Sequence, residues 1–334
     1  MTEITFDVFR GTEGVAPVQR SVTKKLRPND VHFEITHSGL CGTDLHFRHA
    51  DIALGHEGVG IVRTVGEAVR DFKVGDVVGF GYVREVCGHC TSCLTGWDQY
   101  CPNSVAYGAA DFDTGSFSQG AVVDARCVFH IPFELDPAEA APLMCGGGTV
   151  WTILSQYGIK PTDRVGVMGI GGLGHIAIKM AAAMGCHVVV LSSSESKREE
   201  AIKFGAQEFH VFRQGEKFEG DIAPINHLLL TGSSQVDYAA LIPLMAANGA
   251  IYPLSVDFSP SEVVMFHLGL KGVRIQASAV VSSTEMRKML QFCALHSIVP
   301  QIQKFPLSSQ GIVDAMQVLT DGKVRYRAVL VAQT

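Results

Sequence analysis

The chain has 334 residues, which is long for one core and makes two domains the expectation. Hydrophobic residues make up 47% and charged residues 18%, and the net charge of -6 excludes an electrostatic footprint for nucleic acid. No apolar run spans a bilayer, the first residues lack the basic and apolar regions of a signal peptide, and nine cysteines in that setting read as reduced thiols or metal ligands of a cytoplasmic protein.

Residues from Met1 to about Pro132 carry short alternating runs rich in Val, Gly and Asp. Val31–Thr36 and Val59–Val65 read as strands, and Phe72–Gly79 as a strand entered through a Gly-Asp turn. A mostly β, barrel-like domain follows from that rhythm. Cys41-Gly-Thr-Asp-Leu-His46 and Gly55-His-Glu-Gly-Val-Gly60 fall between those runs, on predicted loops. Zinc takes thiolate and imidazole ligands, and a catalytic zinc has three protein ligands with one open position. Cys41 and His56 can supply two. Taken singly, a cysteine is more often a small buried hydrophobe, and a histidine a satisfied core or surface residue; their neighbours along the chain change the balance.

Cys87, Cys90, Cys93 and Cys101 follow at the spacing C-x2-C-x2-C-x7-C. Four thiolates close a tetrahedral shell around zinc and leave no open site, so this cluster predicts a metal that stabilises the fold and does no chemistry. His89 lies inside the loop as a bystander. A zinc ribbon that binds DNA or protein shares the spacing, but the acidic chain has no basic cluster near it. A helix opens at Asp136 as N-cap with Pro137 in its first turn and runs towards Cys145-Gly-Gly-Gly. Cys145 is the candidate third ligand; by position alone Cys127, Cys186 and Cys293 are also available.

The second domain opens with a strand, Arg164–Met168, the turn Gly169-Ile-Gly171-Gly172-Leu173-Gly174, a helix from His175 to Met184 and a strand, His187–Leu191. G-x-G-x-x-G between a strand and a helix is the dinucleotide-binding context, with glycines for a tight turn and for approach of the backbone to a pyrophosphate. Where NAD sites place an acid at the end of the second strand, this chain has Ser192, Ser193 and Ser194 followed by Lys197 and Arg198. Hydroxyls and cations there favour NADP(H) over NAD(H), although Ser194 can also be a plain helix cap and Glu195 opposes the assignment. His227–Leu230, Ala250–Tyr252 and Val273–Ser278 read as further strands and Tyr238–Ala247 as a helix. An amphipathic helix to His296 with Thr284 as N-cap, a helix from Ser309 to about Thr320 and a strand, Tyr326–Val331, complete the pattern and are expected to return to the first domain.

These motifs together resemble the zinc-dependent alcohol dehydrogenases of the medium-chain dehydrogenase/reductase superfamily, and within it the cinnamyl-alcohol-dehydrogenase-like NADP(H) subgroup. The resemblance implies an α/β fold: a Rossmann doubly wound parallel sheet over residues 147–283 and a mostly β GroES-like catalytic domain over 1–146 and 284–334. It implies two zinc ions per chain, a catalytic one on Cys41, His56 and Cys145 with Glu57 beside the metal as an occasional ligand, and a structural one on the four-cysteine loop. It assigns Thr43 and His46 to a proton relay and Asp44 to orienting the zinc-bound imidazole. The implied reaction is hydride transfer between NADP(H) and a hydrophobic or aromatic alcohol, aldehyde or ketone, in a homodimer or a tetramer that binds no nucleic acid or membrane. The interval between His46 and His56 and the segment from Tyr107 to Val122 are shorter than the family pattern, which leaves the pocket open. Two alternatives stand beside this reading: a reductase of a conjugated C=C or an iminium, and a non-catalytic zinc-ribbon protein with a dinucleotide-sensing domain. Phe47, Trp97 and Phe112 are the aromatic residues expected near the cleft.

Overall fold

In the computed structural model the chain forms two compact units, Met1–Gly148 with Val280–Thr334, and Thr149–Ala279. The structure describes every residue except 1, 15, 214, 216–219, 233–235, 257 and 334.

The first unit is organised on one long strand, Asp30–Leu40, whose Val31, Phe33 and Ile35 alternate into the core. Its opening half pairs with Gly120–Asp124, its closing half with Arg327–Val331, and its other edge with Gly58–Val65. Val77–Phe80, Val128–His130 and Ile302–Pro306 extend this seven-stranded sheet. All pairings are antiparallel except that of Ile302–Pro306 with Arg327–Val331. The expected β domain is therefore present, with a separate two-stranded hairpin, Glu3–Arg10 on Val18–Lys25. The residues read as a strand from Phe72 instead make a turn first: Lys73 N–H is held by the Asp76 carboxylate and the strand begins at Val77.

The second unit is a six-stranded parallel sheet in the spatial order Glu208–Val211, His187–Ser192, Arg164–Met168, Ile225–Leu230, Met245–Pro253, Arg274–Ile275. Strands buried on both faces read as continuous apolar runs, and Val188 to Leu191 are fully buried. The chain order reverses on either side of Arg164–Met168, which is where open α/β sheets bind ligands. Two readings shift here and one in the first unit. The helix from Tyr238 stops at Leu241 because Pro243 cannot continue the ladder, so a 3-10 turn follows and the next strand starts at Met245. The strand expected over Val273–Ser278 is only Arg274–Ile275. In the first unit, helix Ser283–Leu295 is capped by Ser282, whose hydroxyl accepts from Glu285 N–H, rather than by Thr284.

Candidate active site

Strand Asp30–Leu40 ends at Cys41, the N-cap of the short helix Gly42–Phe47. Asp44, three residues on, turns its carboxylate back so that Oδ2 accepts Cys41 N–H at 3.0 Å while Oδ1 accepts His56 Nδ1 at 2.9 Å. One buried carboxylate thus fixes both the cysteine loop and the imidazole, and leaves His56 Nε2 facing Cys41 Sγ at 3.2 Å. The ligand atoms of Cys41, His56, Glu57 and Cys145 all lie within 4.8 Å of one another. Cys145 follows the turn Ala141–Met144, so helix geometry after Asp136 delivers the thiol that sequence spacing left open.

Glu57 is fully buried and paired with Arg327, whose Nη2 donates to Oε2 at 2.5 Å. It fits only because residue 39 is glycine: a Cβ there would meet Glu57 Oε2 at 1.9 Å. Burial pushes the Glu57 carboxyl up to about 7 despite that guanidinium. Burial opposes a charge on the His56 ring, yet the Asp44 and Cys41 charges outweigh it and raise its pKa well above the ordinary value. Contact with Cys145 draws Cys41 well below the usual thiol range, and the same contact pushes Cys145 up. Two sulfurs and an imidazole sharing protons in this way are a set that a divalent cation discharges on binding, and the donor types fit zinc. Thr43 is half-buried and His46 exposed, three residues apart on one face of helix Gly42–Phe47.

The four knuckle cysteines also converge. Cys87 Sγ lies 3.9 Å from Cys93 Sγ and 3.6 Å from Cys101 Sγ, and Cys90 Sγ lies 3.5 Å from Cys93 Sγ. Sulfurs held ~2.3 Å from one tetrahedral ion sit roughly 3.8 Å apart, so the loop is shaped for a closed zinc site. His89 turns its Nδ1 to the Cys87 carbonyl at 2.9 Å, outside the sulfur set. All nine cysteines are free thiols.

In the second unit Gly169 takes φ +95, and a Cβ on Gly174 would meet the Gly169 carbonyl at 1.9 Å, so the third glycine is required for the close turn. A Cβ on Gly171 would meet nothing within 4 Å, which leaves open space beside the start of helix Gly174–Ala183 for a pyrophosphate. Gly172 and Leu173 complete the turn and are half-buried. Ser192 ends its strand buried, with Ser193 and Ser194 exposed beyond it. The two cations differ. Lys197 Nζ donates to the Ile170 carbonyl at 2.6 Å, inside the glycine turn, whereas Arg198 pairs with Glu195 and lies over the Phe209 ring at 4.6 Å. The chain also brings Arg213 to this loop, with Nε on the Ser193 carbonyl at 3.1 Å.

The profile of the alcohol dehydrogenase GroES-like domain matches residues 27–133, and that of the zinc-binding dehydrogenases residues 172–294. An NADP-dependent alcohol dehydrogenase of Mycolicibacterium smegmatis is 33% identical over 98% of this chain and 97% of its own length. A probable cinnamyl alcohol dehydrogenase of Arabidopsis thaliana is 37% identical over 90% of this chain and 87% of its own. The solved cinnamyl alcohol dehydrogenase of Sorghum bicolor superposes with a TM-score of 0.91 over 98% of both chains, at 31% identity. The chain belongs to the zinc-dependent alcohol dehydrogenases of the medium-chain superfamily. It is an oxidoreductase of the cinnamyl-alcohol-dehydrogenase-like subgroup, and neither alternative reading is favoured by these relatives.

The dehydrogenase carries site residues that its sequence did not disclose. Arg327 ends the motif Val324-Arg-Tyr-Arg327, but its pairing with Glu57, 270 residues away, is not written in that motif. Tyr107 and Arg84 sit against the His56 loop, and only the folded sheet places them there. Conversely, the aromatic residues expected near a cleft do other work. Phe47 packs edge-on against Tyr107 at 5.2 Å, Trp97 stacks on Tyr100 at 6.1 Å and Phe112 is exposed. A cleft elsewhere in the first unit is lined by Tyr82, Phe129, Met144, Val281 and Met286, with the Gln99 amide.

Proposed function

We propose that Cys41, His56 and Cys145 hold a catalytic zinc, that Cys87, Cys90, Cys93 and Cys101 hold a structural one, and that the chain interconverts a hydrophobic alcohol and its aldehyde or ketone with NADP(H). The observation that carries the reading is the convergence of Cys41, His56, Glu57 and Cys145 to one buried point. Zinc would supply Lewis acidity at the substrate oxygen and the nicotinamide the hydride. Asp44 accepts from His56 Nδ1, which fixes the tautomer and offers Nε2 to the metal. Glu57, held on Arg327, keeps a carboxylate in reserve beside the ligands. The Thr43 hydroxyl holds the proton of the alcohol oxygen, and His46 exchanges it with solvent. Ser193, Ser194, Lys197 and Arg213 support a 2′-phosphate at the end of His187–Ser192.

Nine free thiols suit a reducing cytoplasm, and among the described residues no helix is long and apolar enough to cross a membrane. Helix Met265–Lys271 exposes Met265, Phe266 and Leu270 beside the terminal strand Arg274–Ile275, which supports a homodimer, with a tetramer as the next assembly. The deciding experiment is oxidation of NADPH against NADH with a panel of aromatic aldehydes, on protein assayed for zinc. Turnover with NADPH on about two zinc ions per chain is expected. Saturated aldehyde in place of alcohol as the product of an enal overturns the carbonyl assignment.

A further inference from the structure

The loop that presents His56 is held by more than Asp44. Tyr107 is fully buried with its ring stacked on the imidazole, centroids 4.8 Å apart at 25°. A buried phenol needs one hydrogen-bond partner; this one has two. Its oxygen accepts Gly55 N–H at 3.0 Å and donates to Asp44 Oδ1 at 3.1 Å, the same oxygen that receives His56 Nδ1. The peptide group that follows, joining Gly55 to His56, is held as well. Arg84 Nη2 donates to the Gly55 carbonyl at 3.1 Å and to Thr114 O at 3.3 Å, while Nη1 donates to Gly81 O at 2.6 Å. This guanidinium is buried, spends those hydrogen bonds on carbonyls, and lies over the Phe80 ring at 4.4 Å and the Tyr107 ring at 5.5 Å. Only glycine fits at position 55: its φ is +91, and a Cβ would meet Ser116 Oγ at 2.4 Å.

We infer that Tyr107 is a positioning residue for the metal-binding imidazole, buttressed by Arg84, and that the pair sets how long the catalytic site retains its metal. The inference rests on the zinc assignment proposed above. The physical reason is that the phenol links three groups that must move together if His56 is to swing: the peptide before it, the carboxylate behind it and the face of its own ring. Removing the hydroxyl leaves a buried N–H unpaired and releases Asp44 Oδ1 from one of its two donors, so the imidazole gains a rotation that opens the ligand set. A phenol that merely filled space would lose none of this when its oxygen is removed.

The test is the rate at which a chromogenic chelator strips zinc from the intact protein, read as two phases, together with the visible absorption of protein carrying Co²⁺ at the open site. In Tyr107→Phe the catalytic-site phase should accelerate roughly 10-fold, the knuckle phase should stay as in the parent, and the cobalt bands should shift. Arg84→Lys keeps a cation but not the fork, and should accelerate the same phase by about 3-fold; it carries the test if Tyr107→Phe fails to fold. Unchanged stripping of the catalytic site and unchanged cobalt bands, with only a lower melting temperature of the metal-free protein, would overturn the inference. A parent protein that binds metal at the knuckle alone would overturn the zinc assignment and the inference with it.

Discussion

The two sulfur clusters of the first unit are built on opposite plans. The knuckle lies within one loop, Cys87 to Cys101, with three of its four thiols partly exposed, and its own backbone helps it: Cys87 N–H points at Cys101 Sγ and Cys90 N–H at Cys87 Sγ, both at 3.4 Å. The Cys41 cluster draws on the end of a strand, a loop and a helical turn, and is surrounded by Asp44, Tyr107, Arg84 and Arg327. The knuckle offers only sulfur. The other cluster mixes two sulfurs, an imidazole and a reserve carboxylate. A metal that only holds chain together can be served by spacing; one that must keep a position open needs a shell that stops its ligands from closing it.

Substitutions should separate the two plans. Cys145→Ala should cost at least about 10³-fold in turnover, the several kcal/mol a Lewis acid contributes, and remove one of the two zinc ions proposed while leaving the melting temperature nearly intact. Equal loss of stability and activity would make the clusters alike. Thr43→Ala should lower turnover by roughly 10²-fold with full zinc occupancy, checked by metal analysis beside the rate; near-normal turnover rejects the relay. Cys90→Ser should do the reverse of Cys145→Ala. It should lower the melting temperature by roughly 10 °C, the shift expected for a few kcal/mol, and change low-temperature turnover only several-fold. In the second unit, Lys197→Ala should raise the KM for NADPH about 10-fold more than that for NADH, because a charge-assisted hydrogen bond of about 1.5 kcal/mol to the 2′-phosphate is lost. Arg198→Ala, whose cation is already spent on Glu195, should change the ratio of the two by less than about 2-fold.

The same contrast governs what could be read from sequence. Four thiols within one loop and a glycine turn between strand and helix announce themselves through spacing, so the knuckle and the parallel sheet were legible. Cys41 and His56 were legible as motifs, but Cys145 needed the helical turn that carries it, and spacing alone could not separate it from Cys127. Arg84 and Tyr107 were hidden because each acts through a tertiary contact with no periodic signature, and Arg327 was visible as the end of Val324-Arg-Tyr-Arg327 but its partner Glu57 was not. The hairpin Glu3–Arg10 on Val18–Lys25 escaped because its second strand is mostly exposed and shows no clean alternation. Ile302–Pro306 escaped because its pairing partner, Arg327–Val331, lies further along the chain. The helix from Tyr238 was overextended because apolar periodicity was followed through Pro243.

The partner of Glu57 has a consequence for how the protein is made. Arg327 belongs to a strand that docks between Ile302–Pro306 and Asp30–Leu40, so the charge that balances Glu57 arrives only after synthesis has reached residue 327. The knuckle is complete once Cys101 has emerged. On the proposed assignment, a nascent chain can therefore load the two sites at different times, the closed one during translation and the open one after the last strand has closed the sheet. Until that strand docks, Glu57 lacks the guanidinium that balances it in the finished protein, and the unit that will do the chemistry is held ready but unfinished.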